Sequence, residues 1–167
     1  MAVDNIIIDL EASGLYGASY PLSVAWGSRV DAIEYHLIRP EDVWLDEGDW
    51  DAGAEAIHGF TLEQLLDEGE PALQVAERLA QALAGRVVYS DAPAYDRNWL
   101  EVLHRTTGVA SNYEVADFAR LVPGVHHLNH LEYALLREQA FKQCGAIAHT
   151  ADGDVKALLT LAQMRGR

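Results

Sequence analysis

The chain reads as an α/β protein, a mixed five-stranded sheet flanked by helices, with residues 1–167 forming one domain. Three observations predict this. A short β-branched run opens the chain, two strand-like runs follow it directly, and later strand signals alternate with stretches of helical periodicity. The opening run, Ile6-Ile7-Ile8-Asp9-Leu10, is apolar and β-branched, as a buried strand is. Residues 20–27 and 32–38 read as two more strands around a turn near Arg29-Val30-Asp31, and Arg39-Pro40 ends that meander. Residues 44–54, dense in Asp, Glu and Gly, read as a surface loop. Thr61 stands where it can cap a short helix through residues 62–66. Residues 72–83 carry Leu73, Ala76, Leu79, Ala80 and Leu83 at helical spacing, closed by Gly85. Residues 87–90 form a fourth strand, 96–104 a helix and 113–117 a fifth strand. Two helices with apolar stripes finish the chain over 129–143, capped by Asn129, and 154–164.

Composition bounds the function classes. A chain of 167 residues, half of them hydrophobic, can bury a full core. No apolar stretch approaches the ~20 residues of a membrane helix. Met1-Ala2-Val3-Asp4 has no basic segment or apolar core of a signal peptide. Cys144 is the only cysteine, so neither an internal disulfide nor a cysteine metal site is available. The expected compartment is the cytoplasm, with no membrane partner.

The chemistry is concentrated in five residues. Asp9 and Glu11 close the first strand two positions apart, so both side chains leave the same face. Two neighbouring desolvated carboxylates repel and need compensation. A divalent cation supplies it, and hard oxygen ligands suit Mg²⁺ or Mn²⁺. His149 stands five residues before Asp154 at the start of the last helix, and Asp96 follows the fourth strand. Taken singly, Asp96 and Asp154 read equally well as acids favoured at a helix start by the dipole. Their joint occurrence is what points to a metal site.

In these motifs the chain resembles the DEDDh (DnaQ-like) 3′–5′ exonucleases. Asp9 to Gly14 matches an apolar strand ending in Asp-x-Glu and a small-residue turn. Tyr95-Asp96, with Trp99-Leu100 beyond, matches the second motif, and His149 to Asp154 matches His-x-x-x-x-Asp. Ala56-Ile57-His58-Gly59-Phe60-Thr61 resembles the Ile-His-Gly-Ile-Thr segment between the first two motifs. The likeness runs from residue 5 to about residue 162, and it implies a ribonuclease H-like sheet. It further implies two Mg²⁺ or Mn²⁺ ions. Asp9 would bridge both, Glu11 and Asp154 would complete one site, and Asp96 would act on the other. His149 would be the general base, on a mobile loop before the last helix. Ala12, Ser13, Gly14, Leu15, His58 and Tyr95 are the substrate contacts implied. Ala12 replaces the usual Thr, and Ser90-Asp91 replaces the usual His-Asn; both departures touch substrate rather than metal.

The charge narrows the substrate. Twelve basic against 26 acidic residues give −14, whereas long polynucleotides are held by basic faces. Arg97, Lys156 and Arg105 are the basic residues nearest the motifs in sequence. The reading is therefore a 3′–5′ exonuclease on single-stranded RNA or DNA 3′ ends, short ones above all, with RNA slightly favoured. A proofreading subunit with a polymerase partner, a catalytically silent binding module and a non-nuclease metal phosphohydrolase are the alternatives, and a homodimer is open. Other signatures fall away. His126, His127 and His130 lack the His-Glu-x-x-His of a zinc site and read as a solvated turn, and the glycines at 14 and 17 fit no phosphate-binding loop. No serine sits in a nucleophile elbow. Trp44 and Trp50 could stack on bases, whereas Trp99 reads as core.

Overall fold

The computed structural model describes residues 5–165; the N-terminal segment read above against a signal peptide lies outside them. Strands β1 (Ile6–Ala12), β2 (Pro21–Arg29) and β3 (Ala32–Arg39) form the expected antiparallel meander. Three short helices follow, α1 (Asp42–Glu47), α2 (Ala52–His58) and α3 (Leu62–Glu68), and then β4 (Glu70–Pro71). Helix α4 (Ala72–Ala82) leads to β5 (Val87–Ser90), α5 (Pro93–Thr107) and β6 (Glu114–Asp117). Two 3-10 turns, α6 (His130–Cys144) and α7 (Ala151–Arg165) complete the described chain. The sheet order is β4-β3-β2-β1-β5-β6, with β5 and β6 parallel to β1. This mixed α/β sheet has six strands rather than five. The sixth, β4, is a two-residue pairing on Ile38-Arg39, too short to leave an alternating pattern in sequence.

Strand β1 separates two cores. Its pleat sends Ile6, Ile8 and Leu10 into the larger one, against α4 and α5, and Ile7 into the smaller one, against α6 and α7. Asp9 and Glu11 have Ile7's parity, so they face α7. A bulge between Glu11 and Ala12 shifts the register on β2 where the strand leaves the sheet.

Several boundaries differ from the sequence reading. Only 48–51 of residues 44–54 are a loop; the rest belong to α1 and α2. Trp44 is buried on α1, stacked on Tyr20 and donating to Thr106 at 2.9 Å, while Asp51 caps α2 through the Gly53 amide. Of the acids that suggested a loop, Asp46 and Glu47 are exposed on α1, and Asp49 and Asp51 lie in the connection to α2. Helix α5 opens at Pro93, whose fixed φ suits the first turn, so Asp96 lies inside that turn. Helix α7 opens at Ala151. Helix α6 has the predicted Asn129 cap, completed by Glu132 as a capping box, and its apolar stripe of Tyr133, Leu136, Ala140, Phe141 and Cys144 packs on the smaller core, although only Ala140 is fully buried and Leu131 and Leu135 are exposed. Trp99 is core, as expected, donating to Ser19 at 3.0 Å. His127 ends a 3-10 turn, with His130 opening α6.

The sheet ends are short. Pro71 on β4 has no N–H to offer, and Arg97 donates to the Val115 carbonyl of β6 at 3.0 Å.

Gly153 fixes how α7 meets the loop before it. A Cβ there would lie 1.9 Å from the Ile147 carbonyl oxygen and 2.5 Å from Thr150 Oγ1. Helix propensity alone would favour alanine by about 0.5–1 kcal/mol, but backbone overlap of this kind outweighs it. Gly153→Ala should therefore destabilise the protein by about 1–3 kcal/mol in urea unfolding; a neutral or stabilising result would show that residues 147–150 yield freely.

Candidate active site

The acids converge at the C-terminal half of β1, which is still paired with β2 there but has passed its last β5 partner, Tyr89. Asp9 and Glu11 arrive on adjacent same-face positions, and α7 brings Asp154 over that face. Carboxylate oxygens of Asp9, Glu11 and Asp154 all lie within 4.8 Å of one another. Asp96 comes from the first turn of α5 and stands outside that group of three. It is fully buried; one oxygen accepts from the Ser90 hydroxyl and the other has no partner. The same cleft, about 430 Å³, is lined by Asp9, Glu11, Asp96, His149 and Asp154, so all five sequence-predicted residues meet.

His149 is held by its backbone. Its φ of 61° is left-handed, and its N–H donates to Asp154 Oδ2 at 2.8 Å. Non-glycine residues adopt this conformation only where surroundings enforce it. Thr150 supports the turn, accepting from the Gly153 and Asp154 amides and donating to the Ile147 carbonyl.

The electrostatics are those of crowded, desolvated acids. Burial pushes Asp9 well above the usual carboxylate range, and the charges of Asp96, Asp154, Asp91 and Glu11 push it further. Burial and then Asp154 raise Glu11 to about 7, against a smaller opposing effect of Arg137. Burial also raises Asp96, opposed by the Ser90 hydroxyl, and Asp154, opposed by Arg137. Hard oxygens this close, with one buried oxygen unpartnered, form a donor set that a divalent cation such as Mg²⁺ or Mn²⁺ fits.

Five of the six anticipated substrate contacts line the clefts at the cluster. Leu15 and Tyr95 border the cleft of the acids. Ala12, Gly14, Leu15 and His58 border a neighbouring one of about 430 Å³, which shares Glu11, Trp99 and His149. Ser13 borders neither; it is buried, and its hydroxyl accepts the Tyr20 amide at 3.0 Å. His58 is held neutral by burial. Its Nδ1 accepts the Phe60 amide at 3.0 Å, so the proton sits on Nε2, which is buried and unpartnered.

The sequence reading missed Asp91, Tyr133 and Arg137 as site residues. Arg137 on α6 pairs with Asp154, and with Asp91 at 3.2 Å; Tyr133 donates to Asp91 at 3.1 Å. Asp91 was visible only as a departure from a motif. Arg137 lies mid-helix with no local signal. The basic residues nearest the motifs in sequence are elsewhere: Arg97 is on the β6 edge, Arg105 pairs with exposed Glu101, and Lys156 does not line these clefts. The roomiest depression, about 770 Å³ between α5 and β6, shares no residue with the acids.

With this geometry fixed, comparison with known proteins is informative. No protein-family model matches the chain, and neither does any curated protein sequence. Solved structures do match. A complex of E. coli exonuclease I with a dA16 oligonucleotide aligns at a TM-score of 0.68 and 16% identity, covering 96% of this chain and 40% of that one. The zinc-bound form of the E. coli exonuclease I–ssDNA complex gives 0.70 at 17%, with the same coverage. Exonuclease I from Methylocaldum szegediense gives 0.67 at 15%, again over 96% and 40%. The fold is that of exonuclease I, a ribonuclease H-like α/β sheet. The chain spans about 40% of the length of these structures.

The raised carboxyls give a pH signature. Glu11 titrates at about 7 when folded against its usual 4.5, so the unfolded chain loses that proton first. In the metal-free protein this contribution is fully present below about pH 4.5 and is lost as pH rises to about 7. The thermal midpoint in EDTA should fall over that interval. Glu11→Gln should flatten the fall and raise stability above pH 7, by on the order of 3 kcal/mol for a shift of this size. A midpoint that climbs with pH would mean that the acids are already compensated.

Proposed function

We propose that this protein is a divalent-metal-dependent 3′–5′ exonuclease of the DEDDh type, hydrolysing single-stranded nucleic acid from its 3′ end. The observation that carries this reading is the Asp9–Glu11–Asp154 cluster, with oxygens within 4.8 Å, set in an exonuclease I fold beside Asp96 and His149.

Asp9, Glu11 and Asp154 hold one ion, and the partnerless oxygen of Asp96 is offered toward a second. Bound there, two Mg²⁺ or Mn²⁺ ions supply charge neutralisation at the phosphate and at the departing 3′ oxygen. His149, at the junction of the two clefts, takes the proton from the attacking water. The neighbouring cleft takes the terminal nucleoside, with the His58 Nε2–H as a donor inside it. Exposed Leu15 and Tyr16, the latter in edge contact with Tyr95, offer apolar and aromatic surface for an unstacked base.

Single-stranded DNA is the first substrate to try, because the oligonucleotides in the exonuclease I complexes are DNA. The slight lean toward RNA rested on the resemblance alone. Length preference follows from charge: −14 overall favours short ends over long polyanions. The test uses 5′-labelled DNA and RNA of graded length, single- and double-stranded, with Mg²⁺, Mn²⁺ or EDTA. A ladder shortening from the 3′ end, abolished by EDTA, is expected. Undiminished hydrolysis in excess EDTA would end the metal reading, and hydrolysis of simple phosphate esters without any ladder would move the assignment to a phosphohydrolase.

Three substitutions follow. Asp9→Ala and Asp154→Ala should each abolish hydrolysis while circular dichroism stays unchanged. His149→Ala should lower kcat by roughly 10²–10⁴-fold, with metal affinity nearly untouched. An unaltered kcat would reassign His149 to structure.

A further inference from the structure

Arg137 is the cation that the acid cluster holds before any metal arrives. Asp9, Glu11, Asp91, Asp96 and Asp154 line one cleft with a single guanidinium. That leaves four negative charges, the amount that two divalent ions carry. The guanidinium has two attachments of different kinds. One Nη contacts Asp154, a member of the carboxylate cluster; the other contacts Asp91 at 3.2 Å, outside that cluster. Asp91 is itself steadied by the Tyr133 hydroxyl, and the guanidinium lies 5.6 Å from the Phe141 ring centroid, one turn along α6. Nε is buried and has no partner.

A divalent ion held at Asp154 would repel the guanidinium there, while the Asp91 pairing and the Phe141 contact would keep the side chain in the cleft. What remains is a planar fork with free N–H groups next to the cluster, which matches the bidentate geometry of a phosphate. We propose that Arg137 is a phosphate-binding residue, paired with Asp154 in the metal-free protein, displaced from it by a divalent ion, and retained at the site by Asp91. The phosphate half of this proposal rests on the nuclease reading; the metal half does not.

Two binding measurements test it on the full chain, comparing wild type with Arg137→Met, Arg137→Lys and Asp91→Asn. The first is Mn²⁺ titration followed by calorimetry, alongside the thermal midpoint in EDTA. Arg137→Met should bind Mn²⁺ roughly tenfold more tightly and have the lower metal-free midpoint, because the competing cation is gone. The second is binding of a nucleoside 5′-monophosphate, and of the parent nucleoside, with Ca²⁺ present. Arg137→Met should lose roughly 10- to 100-fold for the monophosphate and nothing for the nucleoside. Arg137→Lys should recover part of the loss, and Asp91→Asn should show a smaller loss of the same sign. Where Arg137→Met does not fold, Arg137→Lys carries both comparisons, with intermediate shifts expected. Equal Mn²⁺ affinity in wild type and Arg137→Met, or equal monophosphate affinity, overturns the proposal. A wild type that binds Mn²⁺ but degrades no oligonucleotide sinks the nuclease reading instead, and the Mn²⁺ comparison still judges Arg137.

Discussion

Mutual repulsion among carboxylates at the end of β1 is the constraint around which the molecule is arranged. Asp9, Glu11, Asp96 and Asp154 come from three elements, and every one is raised above its ordinary range, burial being the largest cause. Such an assembly persists only because each acid sits on a rigid support: an inner strand, the first turn of α5 and the first turn of α7. The larger core anchors α5 through Trp99 and Leu103, and the smaller one anchors α7 through Val155 and Leu158. Folding energy from apolar burial is thus stored as electrostatic strain that a cation can relieve.

The sequence exposed this site unevenly. A strand that ends in Asp9-Leu10-Glu11 announces two same-face acids through period-two alternation, and the His149–Asp154 spacing was legible beside it. The departure at Ser90-Asp91 was visible but its role was not: it reads as a substrate contact, whereas Ser90 is the partner of Asp96 and Asp91 the partner of Arg137. Arg137 itself was not legible, because its meaning depends on α6 packing beside α7, a long-range contact with no local pattern. Trp44 and Asp51 show the opposite failure: local acidity concealed two helices, one marked by a tertiary ring stack on Tyr20 and the other by a local cap on the Gly53 amide. Gly153 is a third kind, a residue whose identity makes sense only once the neighbouring carbonyl is in place.

The likeness to exonuclease I, at 15–17% identity, extends over 96% of this chain. The cation in the cleft is contributed by α6, whose Leu136, Ala140 and Phe141 pack on the smaller core. Polar attachments add to that hold, the Tyr133 and Arg137 contacts reaching Asp91 and Asp154.

The sheet margins carry a different lesson. On one side the outermost strand is two residues long and ends in a proline; on the other, an arginine side chain occupies an outward carbonyl. The β6 border is short and has its Val115 carbonyl taken, whereas β4 covers only Ile38-Arg39 and leaves the outer edge of β3 from Ala32 to Leu37 without a strand partner among the described residues. Association by extending one continuous β-structure across two copies would therefore have to start on that stretch of β3, where Tyr35 is exposed, and not on β6.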